Sequence, residues 1–155
     1  MRRGIELILG GILLGFLAAS CAPLPKIVVL HDPLSAGEHA SLGAAYEKRG
    51  EYDPALSEYR AALKKAETGE EKGKAYFMIG NVHYLKGEYE RAEGFYEKSL
   101  RANPSFAAAY NNQAWNNLKL GKPDRARESA ERAAALEPDN GEFQDTLRTL
   151  REIAP

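Results

Sequence analysis

Ile79-Gly80-Asn81-Val82-His83-Tyr84-Leu85-Lys86-Gly87-Glu88-Tyr89-Glu90-Arg91-Ala92-Glu93-Gly94-Phe95-Tyr96 is the stretch that decides the fold, because its skeleton occurs three times in the chain. The skeleton is a small residue at 80, a glycine at 87, an aromatic at 89, an alanine at 92 and an aromatic at 96. Upstream the same places hold Gly43, Gly50, Tyr52, Ala55 and Tyr59; downstream they hold Ala114, Gly121, Pro123, Ala126 and Ala130. The step from Gly80 to Ala114 is 34 residues. That from Gly43 to Gly80 is 37, with three residues inserted near Thr68-Gly69-Glu70-Glu71. A period of this size marks stacked supersecondary units, each too small to bury its own apolar face.

Each residue type in the skeleton has a physical reason. Gly43, Gly80 and Ala114 let two helices approach closely, with Ala55, Ala92 and Ala126 facing them from the second helix and Tyr59 and Tyr96 filling the volume beside. Gly50, Gly87 and Gly121 end the first helix of each pair, where a left-handed residue is needed. Pro104 and Pro138 begin the next unit, where a missing N–H is harmless, and Asn103 and Asp139 are placed to cap it. The third unit is the most divergent, with Asn117, Pro123 and Ala130 where aromatics would stand, so looser packing is expected there. Beyond it, Phe143, Leu147, Leu150 and Ile153 form one apolar stripe at near-helical spacing over Gly141 to Ile153. Such a helix would cover the last open face of a stack.

This period and pattern resemble the tetratricopeptide repeat, a 34-residue helix-turn-helix, over about residues 35 to 153. The resemblance implies an all-α solenoid of three helical hairpins and a capping helix. The units expected are 35–69, 73–106 and 107–140, with the cap over 141–155. It also implies that the first helix of each pair lines a concave surface that binds a protein or peptide. The groove places in unit two are Lys74, Phe77, Met78, Asn81 and Tyr84; in unit three they are Ala108, Asn111, Asn112, Trp115 and Leu118. Unit one offers Gly37, Ala40, Ser41, Ala44 and Glu47, which carry little chemistry. Phe77, Asn81, Tyr84, Asn111, Asn112 and Trp115 are therefore the candidate binding residues. Aromatics supply flat apolar area, and asparagine amides donate and accept together, as a peptide backbone requires. One known use of this fold clamps a chaperone carboxyl terminus with two lysines, two asparagines and an arginine. Asn81 and Asn112 match the asparagines, but Phe77, Glu142 and Thr146 stand at the basic places, so that ligand is not expected.

The amino terminus reads as an address. Met1-Arg2-Arg3 is basic, and Leu7 to Ala19 is almost continuously apolar. Thirteen residues are too few to span a bilayer as a helix, which takes about twenty, but suit a secretory signal core. Leu17-Ala18-Ala19-Ser20-Cys21 resembles the lipobox of bacterial lipoproteins, with Ala18 where that family prefers Leu. The resemblance implies a signal peptide over 1–20, cleavage before Cys21, and a diacylglyceryl group on its thiol. Two or three acyl chains hold a protein stably on a membrane where one does not. Residues 21–34, with Pro23, Pro25 and Pro33, then form an extended tether. The short apolar run Lys26 to Leu30 is expected to pack on the protein itself. Ala22, by the sorting rule of some enteric bacteria, points to the outer membrane. The place expected is the bacterial cell envelope, lipid-anchored and facing the periplasm.

Other chemistries find little support. The 155-residue chain carries 21 basic and 22 acidic residues, a net charge of −1, so no field recruits nucleic acid. Its single cysteine can form neither an intrachain disulfide nor a zinc site. The glycines sit at repeat turns, not in a phosphate loop. His31, His39 and His83 are dispersed, with no carboxylate pair, Ser-His-Asp set or metal-ligand spacing around them. No catalytic residue, cofactor, metal or small-molecule substrate is expected. A second reading is a non-catalytic accessory module. Val29 to His39 resembles the junction in some bacterial proteins that carry a C39-type peptidase before such repeats.

Overall fold

The computed structural model describes residues 32–153. The expected signal peptide, Cys21 and the expected tether as far as His31 lie outside the described residues. Among the described residues seven helices follow one another: α1 (Ala36–Lys48), α2 (Tyr52–Lys65), α3 (Gly69–Leu85), α4 (Tyr89–Ala102), α5 (Ala107–Lys119), α6 (Pro123–Leu136) and α7 (Gly141–Ile153). They pack in consecutive pairs, α1 with α2, α3 with α4 and α5 with α6; α7 closes on α6. The all-α solenoid read from the repeat is the architecture found. Across units α2 packs on α3 and α4 on α5, and the first helices also meet one another, α1 with α3 and α3 with α5, along the inner side of the stack.

The three hairpin turns are built alike. Gly50, Gly87 and Gly121 have φ of 76°, 76° and 69°, the left-handed region where a side chain is strained. Each turn also closes two bonds on the first helix. In the middle unit, Gly87 N–H donates to Tyr84 C=O at 2.9 Å and Glu88 N–H to His83 C=O at 2.9 Å. The reversal thereby satisfies carbonyls that a helix end would otherwise leave without partners.

The helix starts differ. Ser35 and Thr68 each accept from the backbone N–H three residues on, while Glu38 and Glu71 reach back, a reciprocal cap at α1 and α3. The insertion lies in the first turns of α3, which begins at Gly69 and has 17 residues against 13 in α1 and α5. Asn103 does not cap α5; it ends α4, and its Oδ1 accepts from Ser105 N–H at 3.2 Å and Ser105 Oγ at 2.9 Å. Nor is Asp139 the cap of α7, since it is Asn140 whose Oδ1 accepts from Glu142 N–H at 3.1 Å.

Packing explains the skeleton, with one revision. A Cβ added at Gly43 would lie 2.5 Å from the Tyr59 ring, and one at Gly80 would lie 2.8 Å from the Tyr96 ring. Glycine thus makes room for the tyrosine of the second helix rather than chiefly for the facing alanine. In unit three, Ala114 and Ala130, both fully buried, are the smaller version of the same contact. The volume given up there is recovered by α7: Phe143, Leu147 and Leu150 join Ala126, Ala130 and Ala133 in one cluster. A second cluster (Ala55, Leu56, Tyr59, Ile79 and Val82) serves units one and two.

Candidate functional site

Three helices converge on the inner side of units two and three. Tyr84 from α3, Tyr96 from α4, and Asn112 and Trp115 from α5 line a cavity of about 110 Å³. Tyr96 forms its floor at 1% exposure, while Tyr84, Asn112 and Trp115 are half-buried around it. Burial first, then the neighbouring Tyr84, pushes the Tyr96 hydroxyl above its ordinary pKa, so it remains a protonated donor. It donates to Asn81 Oδ1 at 2.9 Å, and Asn112 Nδ2 donates to the same oxygen at 2.9 Å. Among the described residues this leaves Asn81 Nδ2 to donate and Asn112 Oδ1 to accept. That pair is complementary to one peptide unit.

The expected residues are therefore not all in one place. Asn81, Tyr84, Asn112 and Trp115 come together. Phe77 is half-buried beside them, its ring 5.0 Å from that of Phe106 and 6.2 Å from that of Tyr96, so it braces the floor. Asn111 does not line the cavity: it is 2% exposed, and its Nδ2 donates to Glu142 Oε1 at 3.3 Å. Toward unit one lies a second hollow of about 200 Å³, lined by Gly37, Ala40, Ala75 and Met78 together with Glu71 and Lys74.

Two polar features escaped the sequence reading. Each buried histidine does have a carboxylate partner, one apiece: His39 Nδ1 lies 2.7 Å from Glu58 and His83 Nδ1 lies 2.6 Å from Glu88. His83 is also stacked on Phe95, ring centroids 5.1 Å apart. The two pairs join one element to the next, His39 of α1 to Glu58 of α2 and His83 of α3 to Glu88 before α4.

The larger feature is a buried carboxylate between the two apolar clusters. Glu93 of α4 is 9% exposed. It accepts from Gln113 Nε2 at 3.0 Å, from Asn116 Nδ2 at 3.1 Å and from Asn117 Nδ2 at 3.3 Å. Asn116 Nδ2 also donates to Tyr89 C=O at 3.1 Å, and Ser129 Oγ to Gln113 Oε1 at 3.3 Å. The amides of α5 are thus divided by the helix itself: Asn112 faces the groove, while Gln113, Asn116 and Asn117 lock unit three onto unit two. The only signal in the sequence was Glu93, an acid at the place held by Leu56 in the first unit, followed by an amide-rich helix.

Comparison with known proteins agrees with this geometry. Models of the tetratricopeptide repeat match residues 41–105 and residues 107–140. The Photosystem I assembly protein Ycf3 of Rippkaea orientalis (strain PCC 8801 / RF-1) is 31% identical over 101 residues, which are 65% of this chain and 58% of that protein. The chain thus spans less than two thirds of that relative. The first TPR of Spaghetti (RPAP3) bound to the HSP90 peptide SRMEEVD superposes with a TM-score of 0.71 at 23% identity, over 79% of this chain and 98% of that one. The TPR domain of Arabidopsis OM64 gives 0.68 at 18% identity, over 77% and 96%. MamA gives 0.66 at 20% identity, over 78% and 69%. At these identities the solved structures share the fold.

Proposed function

Because the chain belongs to the tetratricopeptide repeat family, we propose that it is a membrane-anchored scaffold or pilot of the bacterial cell envelope that holds a protein partner along its inner face. The observation that carries the binding half is the cavity between Tyr84, Tyr96, Asn112 and Trp115, beside two asparagines with hydrogen-bonding capacity to spare. Concave sites with aromatic walls and a few fixed polar groups are where proteins take ligands. The fold neighbour RPAP3 holds a peptide on the same architecture. The name of the relative Ycf3 describes an assembly protein, which suits a chain whose work is to hold another chain.

The anchoring half rests on the sequence before the first helix: the apolar run Leu7 to Ala19 and the lipobox-like Leu17 to Cys21. A lipid on Cys21 would tie the solenoid to a membrane through a tether of about a dozen residues, a reach of about 40 Å at most. The site this supports is the periplasmic surface of the outer membrane.

Two measurements test the halves separately. Labelled palmitate should enter the wild-type chain in a bacterial host and not Cys21→Ser; an unlabelled wild type recovered in the soluble fraction would end the anchor reading. For binding, a chemically crosslinked partner recovered from native membranes with wild type should be lost with Trp115→Ala while the melting curve is kept. Equal recovery by both would remove the groove from the proposal.

A further inference from the structure

We propose that the cavity of Tyr84, Tyr96, Asn112 and Trp115 selects an uncharged apolar side chain from an extended partner segment. The inference rests on the inner face being the binding face. It adds what that face accepts.

The argument is one of charge and room. Three aromatic rings and one amide line the cavity, and no lysine, arginine, aspartate or glutamate does. A carboxylate placed there would lose its hydration against ring faces that carry partial negative charge, with no cation to replace it. An ammonium would be drawn to the rings and could reach the Tyr96 hydroxyl oxygen and Asn112 Oδ1, but no carboxylate lines the cavity to offset the loss of its hydration. An apolar side chain suffers neither loss. The volume of about 110 Å³ is well beyond the roughly 10–15 Å³ that a single water needs on the same measure, so the cavity has room for a side chain.

The main chain of the same segment has its own partners. Asn81 Nδ2 and Asn112 Oδ1 can hold one N–H and one C=O beside the cavity. The Tyr96–Asn81–Asn112 chain of hydrogen bonds fixes both amides in advance, so little freedom is lost on binding. No cation lines the cavity to read a free carboxyl end, so the segment can lie anywhere in the partner.

Trp115 is the only tryptophan in the chain, so its emission reports the cavity directly. The probe is a randomised heptapeptide library displayed with its carboxyl end blocked, alongside the same library with that end free, selected on the full-length protein. The expected result is enrichment of sequences with one aliphatic or aromatic residue at a fixed place, no excess of charged residues, and no dependence on the free end. A synthetic capped peptide of that sequence should shift Trp115 emission to the blue. Tyr84→Ala should weaken it at least tenfold. The near-isosteric Asn112→Asp, which adds a charge to the wall without removing volume, should do the same. Enrichment of acidic, basic or carboxyl-terminal sequences that still depend on Tyr84 would overturn the inference and leave the groove as the binding face. Enrichment indifferent to both variants would overturn both.

Discussion

Gly80 and Gly94 lie on neighbouring helices of one unit and respond oppositely to the same substitution. A Cβ at Gly80 would meet the Tyr96 ring at 2.8 and 2.9 Å, and the ring sits in a fully packed floor. A Cβ at Gly94 would meet nothing within 4 Å. Gly80→Ala should therefore cost about 1–3 kcal/mol through overpacking, whereas Gly94→Ala should gain about 0.5–1 kcal/mol by removing backbone freedom from a helix interior. Urea unfolding of the two variants beside wild type checks both signs. A neutral Gly80→Ala would mean that the hairpin does not close on Tyr96. At this scale the sequence was readable wherever size alone decides the residue. Gly43, Gly80 and Ala114 announced a close crossing, but spacing could not say whether ring or methyl lay opposite, because Tyr96 and Ala92 both face α3.

The elements are held by two kinds of polar device with different pH behaviour. Glu38 and Glu71 accept backbone N–H bonds at the starts of α1 and α3, chiefly from Ser35 and Thr68, and both carboxyls lie below their ordinary value near 4.5. Glu88 is lowered first by its bond to His83. Groups lowered in the folded state bind protons less readily there than in the unfolded chain. Their contribution is complete at pH values above the ordinary carboxyl range and is lost as pH falls through the lowered values. The urea midpoint should accordingly hold from about pH 8 to about pH 6 and fall below about pH 5, with a shallower fall in Glu71→Gln; an unchanged slope in that variant would remove the cap from the account. The second device is the seam between α4 and α5. Glu93→Gln keeps the shape but turns an N–H donor on the amides of Gln113, Asn116 and Asn117. It should cost about 1.5–3 kcal/mol, the worth of hydrogen bonds to a charged group, read by thermal unfolding. The helices and the glycine turns between them were legible from glycine and apolar spacing, whereas the starts of α5 and α7 were not, since Asn103 ends α4 and Asn140 rather than Asp139 accepts from α7. The seam was not, since amides on one helix carry no mark of which face turns outward until the neighbouring helix supplies Glu93.

Across the whole molecule the account is a stack whose first helices share one inner face. Small residues line that face in unit one, and aromatics with amides line a cavity in units two and three. The repeat period made the order of the units and the capping role of α7 readable in advance. It also placed Asn81, Tyr84, Asn112 and Trp115 on one surface. The groove places implied by the family resemblance included Asn111 too, because a generic repeat position cannot show that Glu142 at the start of α7 closes over it. The most direct test puts a photocrosslinking amino acid at Tyr84, on the inner face, and separately at Arg125, between the second helices on the other side. Irradiation in native membranes should give a discrete protein adduct from position 84 that disappears when Trp115→Ala is added, and none from position 125. Adducts from position 125 alone, or an adduct at 84 that survives Trp115→Ala, would contradict the claim that this protein works through its inner groove.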